Sequence, residues 1–304
     1  MDRQLTGATG GRAAAIDAAI GAGIHAAIDP EIDPAINIAI DALLDAIYRI
    51  YHHDFRGYVR GSIRRRIAAA RVHLRCATLA ELHDRAVREP AVFGQLLRFL
   101  TVQVTDMFRD PAYFRAIRTH VVPYLQTYAA LKVWVAGCAT GEEAYSLAIV
   151  LAEEDLLDRT LIYATDIDPG CLRAAQAGVY DLARLARFSE AYHLAGGRGS
   201  LSDHYAAAYG GAVFDRRLRK AIVFADHSLA TDSAFAEVQL VSCRNVLIYF
   251  DRPLQDRALG VLRDALCHRG FLGLGMRETL RSSALAPAFT EIVPEARIYR
   301  SSPP

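Results

Sequence analysis

"KVWVAGCATGEEAYSLAIVLAEE", Lys132 to Glu154, is the stretch on which the reading of the chain turns. Its first residues are apolar without alternation, as in a strand buried on both faces. Gly137 and Gly141 then turn the chain, and the apolar spacing that follows is helical. Strand, glycine turn and helix in that order bring a ligand close to main chain at a helix N-terminus. A phosphate loop would end in Gly-Lys-Ser/Thr and a dinucleotide turn would read G-x-G-x-x-G; this turn has neither. Instead Glu142 and Glu143 open the helix, where they would repel a pyrophosphate. They suit a ligand with positive groups, or a solvated first turn whose acids complement the helix dipole. The turn alone leaves both readings open.

The next apolar run, "IYATDID", ends on Asp166. In a doubly wound sheet an acid at the end of the second strand accepts hydrogen bonds from ribose hydroxyls. The plainer alternative is a helix cap, since Asp168-Pro169 starts the following helix. A glycine turn without phosphate chemistry, followed by a ribose acid, favours an adenosine ligand lacking phosphates. S-adenosylmethionine, with its ammonium and sulfonium, is such a ligand.

Outward from this pair, "LKVWVAG", "TLIYATD", "AIVFAD", "VQLVSC" and "GFLGLG" are short apolar runs, mostly separated by helical patterns. That alternation predicts an α/β fold with a parallel sheet. Between "PGCLRAAQAGVY" and "AIVF" the connection is too long for an ordinary loop and predicts an inserted hairpin or subdomain, about residues 181–220. Upstream, "IDALLDAIYRIYHHDF", "GSIRRRIAAARVHLR", "TLAELHDRAVRE", "PAVFGQLLRFL" and "DPAYFRAIRTHVVPYL" carry helical spacing. Thr78 with Glu81 forms a capping box, and Asp110 stands as an N-cap before Pro111. Residues 39–125 are therefore read as an all-helical domain and 126–304 as the sheet domain. Residues 1–38, rich in Ala, Ile, Gly and Asp, are read as a low-complexity, mobile leader.

With 35 basic and 34 acidic residues among 304, the charge balance disfavours a dedicated nucleic-acid or membrane-surface protein. Five scattered cysteines without a CxxC predict neither disulfides nor zinc, and fit a cytoplasmic protein. No carboxylate or cysteine stands at ligand spacing from His52, His53 or His227, so no metal is expected. No apolar run is long enough to span a bilayer.

Several separated motifs carry a family resemblance: "DFRGYVRGSIRRRI", "LTVQVTDMFRDPAYF", "VWVAGCATGEEAYSLA", "IYATDID", "SLSDHYAAAYG", "VSCRNVLIYFDRP" and "GFLGLGMRETL". Across residues 41–300 the chain resembles the CheR-type protein-glutamate O-methyltransferases of bacterial chemoreceptors. The resemblance implies an all-helical N-terminal domain before a class I methyltransferase doubly wound sheet carrying a small β insertion. It implies S-adenosylmethionine as cofactor and S-adenosylhomocysteine as product. Carried over by position, Gln103, Thr105 and Arg109 contact the cofactor from the helical side, with Gly137 and Gly141 in the turn. Glu142 and Asp166 hold its polar end and ribose, while Ser228, Leu229, Asn245 and Val246 line the rest. Departures stand at Gln103, where the family has Asn, at Met107 for Phe, at Ser228 for Asn or Asp, and at "GMRETL" for "GHSESL" or "GSKESL".

A carboxylate attacking a sulfonium methyl needs no general base, so placement and exclusion of water should carry catalysis. Arg109 is the candidate to orient the acceptor, with Tyr249 as a second positioning group; a surface salt bridge and plain packing are the alternatives. Residues 49–118 hold fourteen arginines against six acids, a face suited to an acidic helical receptor bundle. The insertion could hold a receptor's C-terminal tether. A nucleic-acid amino methyltransferase is a poor alternative, because "CRNVLIYF" lacks the prolines of a base-presenting turn. A non-catalytic cofactor-binding signalling module is the remaining one.

Overall fold

The structure, a computed structural model, describes residues 34–208 and 210–302. The expected leader therefore lies mostly outside the described residues. Its last residues, from Pro34, already belong to the first helix.

Helices α1 (Pro34–Tyr51), α2 (Arg60–His73), α3 (Leu79–Arg88) and α4 (Pro90–Leu100) form the helical part. In α1, Ile40, Leu43, Leu44 and Ile47 are buried; in α2, Ile63, Ile67 and Ala70 are. This one-sided spacing gives each helix a single apolar stripe, and the stripes close on one core with Phe55, Leu82, Phe93 and Leu96. The Thr78 hydroxyl accepts from the Glu81 N–H at 3.1 Å, while the Glu81 carboxylate reaches back to the Ala77 N–H at 2.6 Å.

The helical run expected to complete this domain belongs elsewhere. Helix α5 (Pro111–Ala116) continues through a π-helical turn, Ile117–Val121, into a last turn, Val122–Leu125. The widening directly precedes Pro123, which has no N–H to donate. Tyr113, Phe114, Ile117, Val121 and Leu125 pack into the core under the sheet rather than among α1–α4. Periodicity marks a helix's apolar face but not the core it joins.

The sheet part runs β1 (Leu131–Ala136), α6 (Glu142–Glu153), β2 (Thr160–Asp166), α7 (Pro169–Ala177), β3 (Val179–Asp181), α8 (Leu182–Leu194), β4 (Tyr205–Ala208), β5 (Gly211–Phe214), α9 (Arg216–Lys220), β6 (Ile222–Asp226), β7 (Val238–Cys243), α10 (Arg252–Ala265), β8 (Leu266–Leu274), β9 (Phe289–Val293) and β10 (Ile298–Ser301). Seven strands form one sheet in the order β6-β2-β1-β7-β8-β10-β9. All neighbours are parallel except β10, which is antiparallel to both β8 and β9. Along β1, Val133 and Val135 enter one core layer while Trp134 and Ala136 enter the other, as a strand covered on both faces requires. The chain leaves β1 towards β2 and β6, then returns to β7 on the other side of β1. That reversal opens a crevice at the carboxyl ends of β1 and β7, the place where doubly wound sheets bind ligands.

The expected insertion is present. Strands β3, β5 and β4 form a separate three-stranded antiparallel sheet, with α8 between β3 and β4. The C-terminal strands β9 and β10 were not among the expected apolar runs. No helix among the described residues is long and apolar enough to cross a membrane.

Candidate active site

Three left-handed residues shape the turn after β1: Gly137 (φ 72°), Ala139 (φ 47°) and Gly141 (φ 93°). The N–H groups of Gly137 and Cys138 both donate to the Thr165 carbonyl, at 2.8 and 2.9 Å, which pins the turn to the end of β2. A Cβ on Gly137 would lie 2.4 Å from Val246 Cγ2, so only glycine leaves room there.

Asp166 is held by main chain on both oxygens. Ala139 N–H donates to Oδ2 at 2.9 Å and Asp168 N–H to Oδ1 at 3.0 Å. Burial pushes its carboxyl up, against those N–H groups, which favour the charged form. Each oxygen keeps a further lone pair for a ligand hydroxyl.

These groups open on a cleft of about 950 Å³, counted out to its mouth. Of the residues expected from sequence, Gln103, Thr105, Arg109, Gly137, Asp166, Ser228, Leu229, Asn245, Val246 and Tyr249 line it. Two do not. Gly141 packs away from the cleft, where a Cβ would lie 2.8 Å from Ala175 Cβ, so its glycine serves helix packing.

Glu142 is the second correction. It is fully buried, accepts from the Thr140 hydroxyl at 2.6 Å, and has Arg184 Nη2 2.9 Å from Oε1, with no N–H aimed along that contact. The glutamate that lines the cleft is Glu143. It accepts from Ser242 Oγ at 2.6 Å and Arg244 Nη1 at 3.1 Å. Successive helical residues point about 100° apart, so the two acids of one turn serve different neighbours.

Arg244 was overlooked in the sequence. Its buried guanidinium lies over the Tyr113 ring at 4.2 Å and donates through Nη2 to the Arg109 carbonyl and to Asp110 Oδ2, both at 2.8 Å. Asp110 precedes α5 but makes no capping bond with its side chain; it is left-handed (φ 57°) and spends its carboxylate on Arg244.

Glu278, in the "GMRETL" departure, lies behind the cleft. Its buried carboxylate accepts N–H groups from Asn245 (2.9 Å), Val246 (2.9 Å), Leu247 (2.7 Å), Ile248 (3.3 Å) and Gly275 (2.6 Å). It thereby holds Asn245 in a left-handed conformation (φ 60°) at the end of β7. Asp166 closes β2 itself, whereas Glu278 stands four residues beyond the end of β8.

The opposite wall comes from the helical part. Gln103 donates to Asp168, whose other oxygen caps α7 through Gly170 N–H at 2.6 Å. Arg66 belongs to this wall, not to an exposed basic face. Its Nη1 donates to the Leu100 carbonyl at 2.6 Å, and its guanidinium lies 4.7 Å from the Tyr249 ring. Val59 N–H donates to the Tyr249 carbonyl at 2.8 Å, and Tyr58 bridges Phe250. Burial pushes the Tyr249 hydroxyl up, so it stays protonated as a donor at neutral pH. Ser228 is tied to its own loop: its N–H donates to Asp232 Oδ2 at 2.8 Å and its hydroxyl accepts from Ala230 N–H at 3.3 Å. His227 Nε2 lies 3.0 Å from the Ser233 carbonyl, which makes Nε2 the protonated nitrogen.

The donor set suits an adenosine bearing positive charge. An acid stands at each of the two strand-end turns, Glu143 and Asp166, and glycine lets main chain approach. Residues 103–292 match the model described as CheR methyltransferase, SAM binding domain, and residues 38–101 match CheR methyltransferase, all-alpha domain. The chain is 53% identical over 247 residues to "Putative methyltransferase Cher3" of Pseudomonas putida, covering 81% of this chain and 90% of that protein. It is 34% identical to chemotaxis protein methyltransferase 2 of Pseudomonas aeruginosa, over 61% of this chain and 66% of that one. To the chemotaxis protein methyltransferase of Listeria monocytogenes it is 28% identical, over 75% and 84%. The sheet with its single antiparallel strand is the class I methyltransferase arrangement, and the chain belongs to the CheR methyltransferase family, with S-adenosylmethionine as its cofactor.

Proposed function

We propose that the protein methylates glutamate side-chain carboxylates of a chemoreceptor-like signalling protein, giving methyl esters. The observation that carries this reading is a cationic mouth to the cleft: Arg66 and Arg109 from the helical side line it together with Tyr249, which follows β7. S-adenosylmethionine would supply a sulfonium methyl to this cleft: the anionic oxygen would bond to the methyl carbon as the carbon–sulfur bond breaks and S-adenosylhomocysteine leaves as a neutral thioether, so opposite charges neutralise and no proton has to be removed. The protein's share is then placement. Asp166 takes the ribose hydroxyls, and Glu143, in the role first read for Glu142, faces the cationic end. Gln103, Thr105, Ser228, Leu229, Asn245 and Val246 line the remainder.

Arg109 orients the incoming carboxylate. One of its nitrogens donates to the Val104 carbonyl at 3.1 Å, which holds the side chain and leaves its other N–H groups for the acceptor. Tyr249, steadied under Arg66, offers a hydroxyl at the same mouth. The names of the Pseudomonas aeruginosa and Listeria relatives support a role in chemotaxis. The acceptor is then a receptor's cytoplasmic helical bundle, docked on the arginines of α2, with the insertion available to a receptor tether.

Transfer of labelled methyl from the cofactor to a chemoreceptor cytoplasmic fragment, released as methanol by mild base, tests this. Base-labile label is expected on the fragment and is lost when its acceptor glutamates are changed to alanine. Tight cofactor binding with no label on any receptor fragment would leave the non-catalytic module as the reading.

A further inference from the structure

The segment Thr105–Arg109 supplies two cleft residues, yet it lies in neither helix nor strand and contains left-handed Phe108 (φ 52°). Such a segment keeps its shape only if its surroundings fix it. Its middle is tied by the Phe108 N–H to Ser146 Oγ at 2.9 Å, and its far end by Arg244 to the Arg109 carbonyl. The near end is held from the insertion. Arg184, on α8, donates through Nη2 to the Thr105 carbonyl at 2.7 Å and to Asp106 Oδ1 at 3.1 Å. One turn on, Arg187 donates to the same Asp106 oxygen at 2.6 Å.

The same Arg184 nitrogen stands 2.9 Å from Glu142, on the first turn of α6. One guanidinium thus joins the insertion, the cofactor turn and the cleft segment. Its geometry is set in advance, because it also lies over the Phe188 ring at 4.8 Å. The insertion does not need Arg184 to stay attached. Arg118 donates through Nε to the Ala195 carbonyl at 3.3 Å, Tyr192 donates to Glu153, and Arg198 reaches both Glu154 oxygens at 2.9 Å.

We propose that Arg184 is a positioning residue of the cofactor site: it fixes the main chain at Thr105 so that Thr105 and Arg109 reach the cleft, with Glu142 as its buried counter-charge. The inserted subdomain is then a working part of the methyl-donor site as well as an outer attachment. The inference rests on reading Thr105 and Arg109 as cofactor-side residues.

Calorimetric titration of the full chain with S-adenosylhomocysteine, beside thermal melts, tests it. Arg184→Ala alone strands a buried carboxylate and is expected to fold poorly. The paired variant Arg184→Ala/Glu142→Gln removes both charges. It should melt near the wild type, while its Kd rises about tenfold, the size of one lost charge-assisted hydrogen bond. Arg198→Ala, which loosens the insertion away from the cleft, should leave Kd unchanged. Arg184→Lys keeps the counter-charge and serves if the paired variant does not fold; it too should weaken binding at an unchanged melting temperature. Wild-type Kd in whichever of the two Arg184 variants is folded overturns the proposal. Arg109→Ala checks the reading beneath it: wild-type Kd and methyl transfer in that variant would remove the segment from the site altogether.

Discussion

On the sheet side of the cleft, Gly137 and Asp166 stand at strand ends and are held by main-chain groups, and Asn245, just after β7, is held by the buried Glu278 carboxylate. On the helical side, Gln103, Thr105 and Arg109 stand on an irregular segment held by Asp168, Arg184 and Arg244, residues far away in sequence. A wall fixed by the ladder of parallel strands has little freedom left. A wall fixed by guanidinium and amide side chains can shift when one of them changes. The sheet side of the donor's seat is therefore built stiffly and its helical side, where the acceptor also arrives, adjustably.

The largest effect is expected where the stiff wall is overfilled. Gly137→Ala places a methyl 2.4 Å from Val246 at a positive φ. Cofactor Kd should rise on the order of 100-fold, matching ~3 kcal/mol of overpacking. Unchanged affinity by calorimetry would mean that the sheet wall yields as readily as the other. Glu278→Gln comes next: an amide cannot accept all of the N–H groups that the carboxylate gathers. A Kd about tenfold higher is expected, since bonds to a charged acceptor are worth ~1.5–3 kcal/mol. A cofactor affinity that ignores Glu278 would show that the Asn245 loop is held by something else.

The smallest effect belongs to the outer helical face. Reversing Arg64 and Arg65 to Glu should raise KM for a receptor fragment about threefold at low salt and leave cofactor Kd alone, as screened surface charges do. Loss of cofactor binding in that variant would join two surfaces that are separate here.

The sheet wall was also the more legible one. An apolar run, a glycine turn and an acid closing the next strand are local patterns with local causes, and they located Gly137 and Asp166. Which glutamate of the turn faces the cleft was not legible. That depends on how α6 is rotated, and the rotation is settled by Arg184 and Arg244, neither of which is near it in sequence. Helix α5 misled in the same way, since an apolar stripe does not name the core it will join. Glu278 was passed over because it stands four residues beyond β8 and its N–H partners lie mostly on a loop that precedes it by some thirty residues. Strands β9 and β10 were missed because Pro294 interrupts a pattern already short.

The hydrogen bond from Val59 N–H to the Tyr249 carbonyl, beside the Tyr58–Phe250 bridge, joins the helical part to the sheet part with main-chain atoms. Such a join is blind to side-chain identity. Mutation can rewrite the outward face of α2, and with it the partner that is recognised, while the inherited way of covering the methyl donor stays the same.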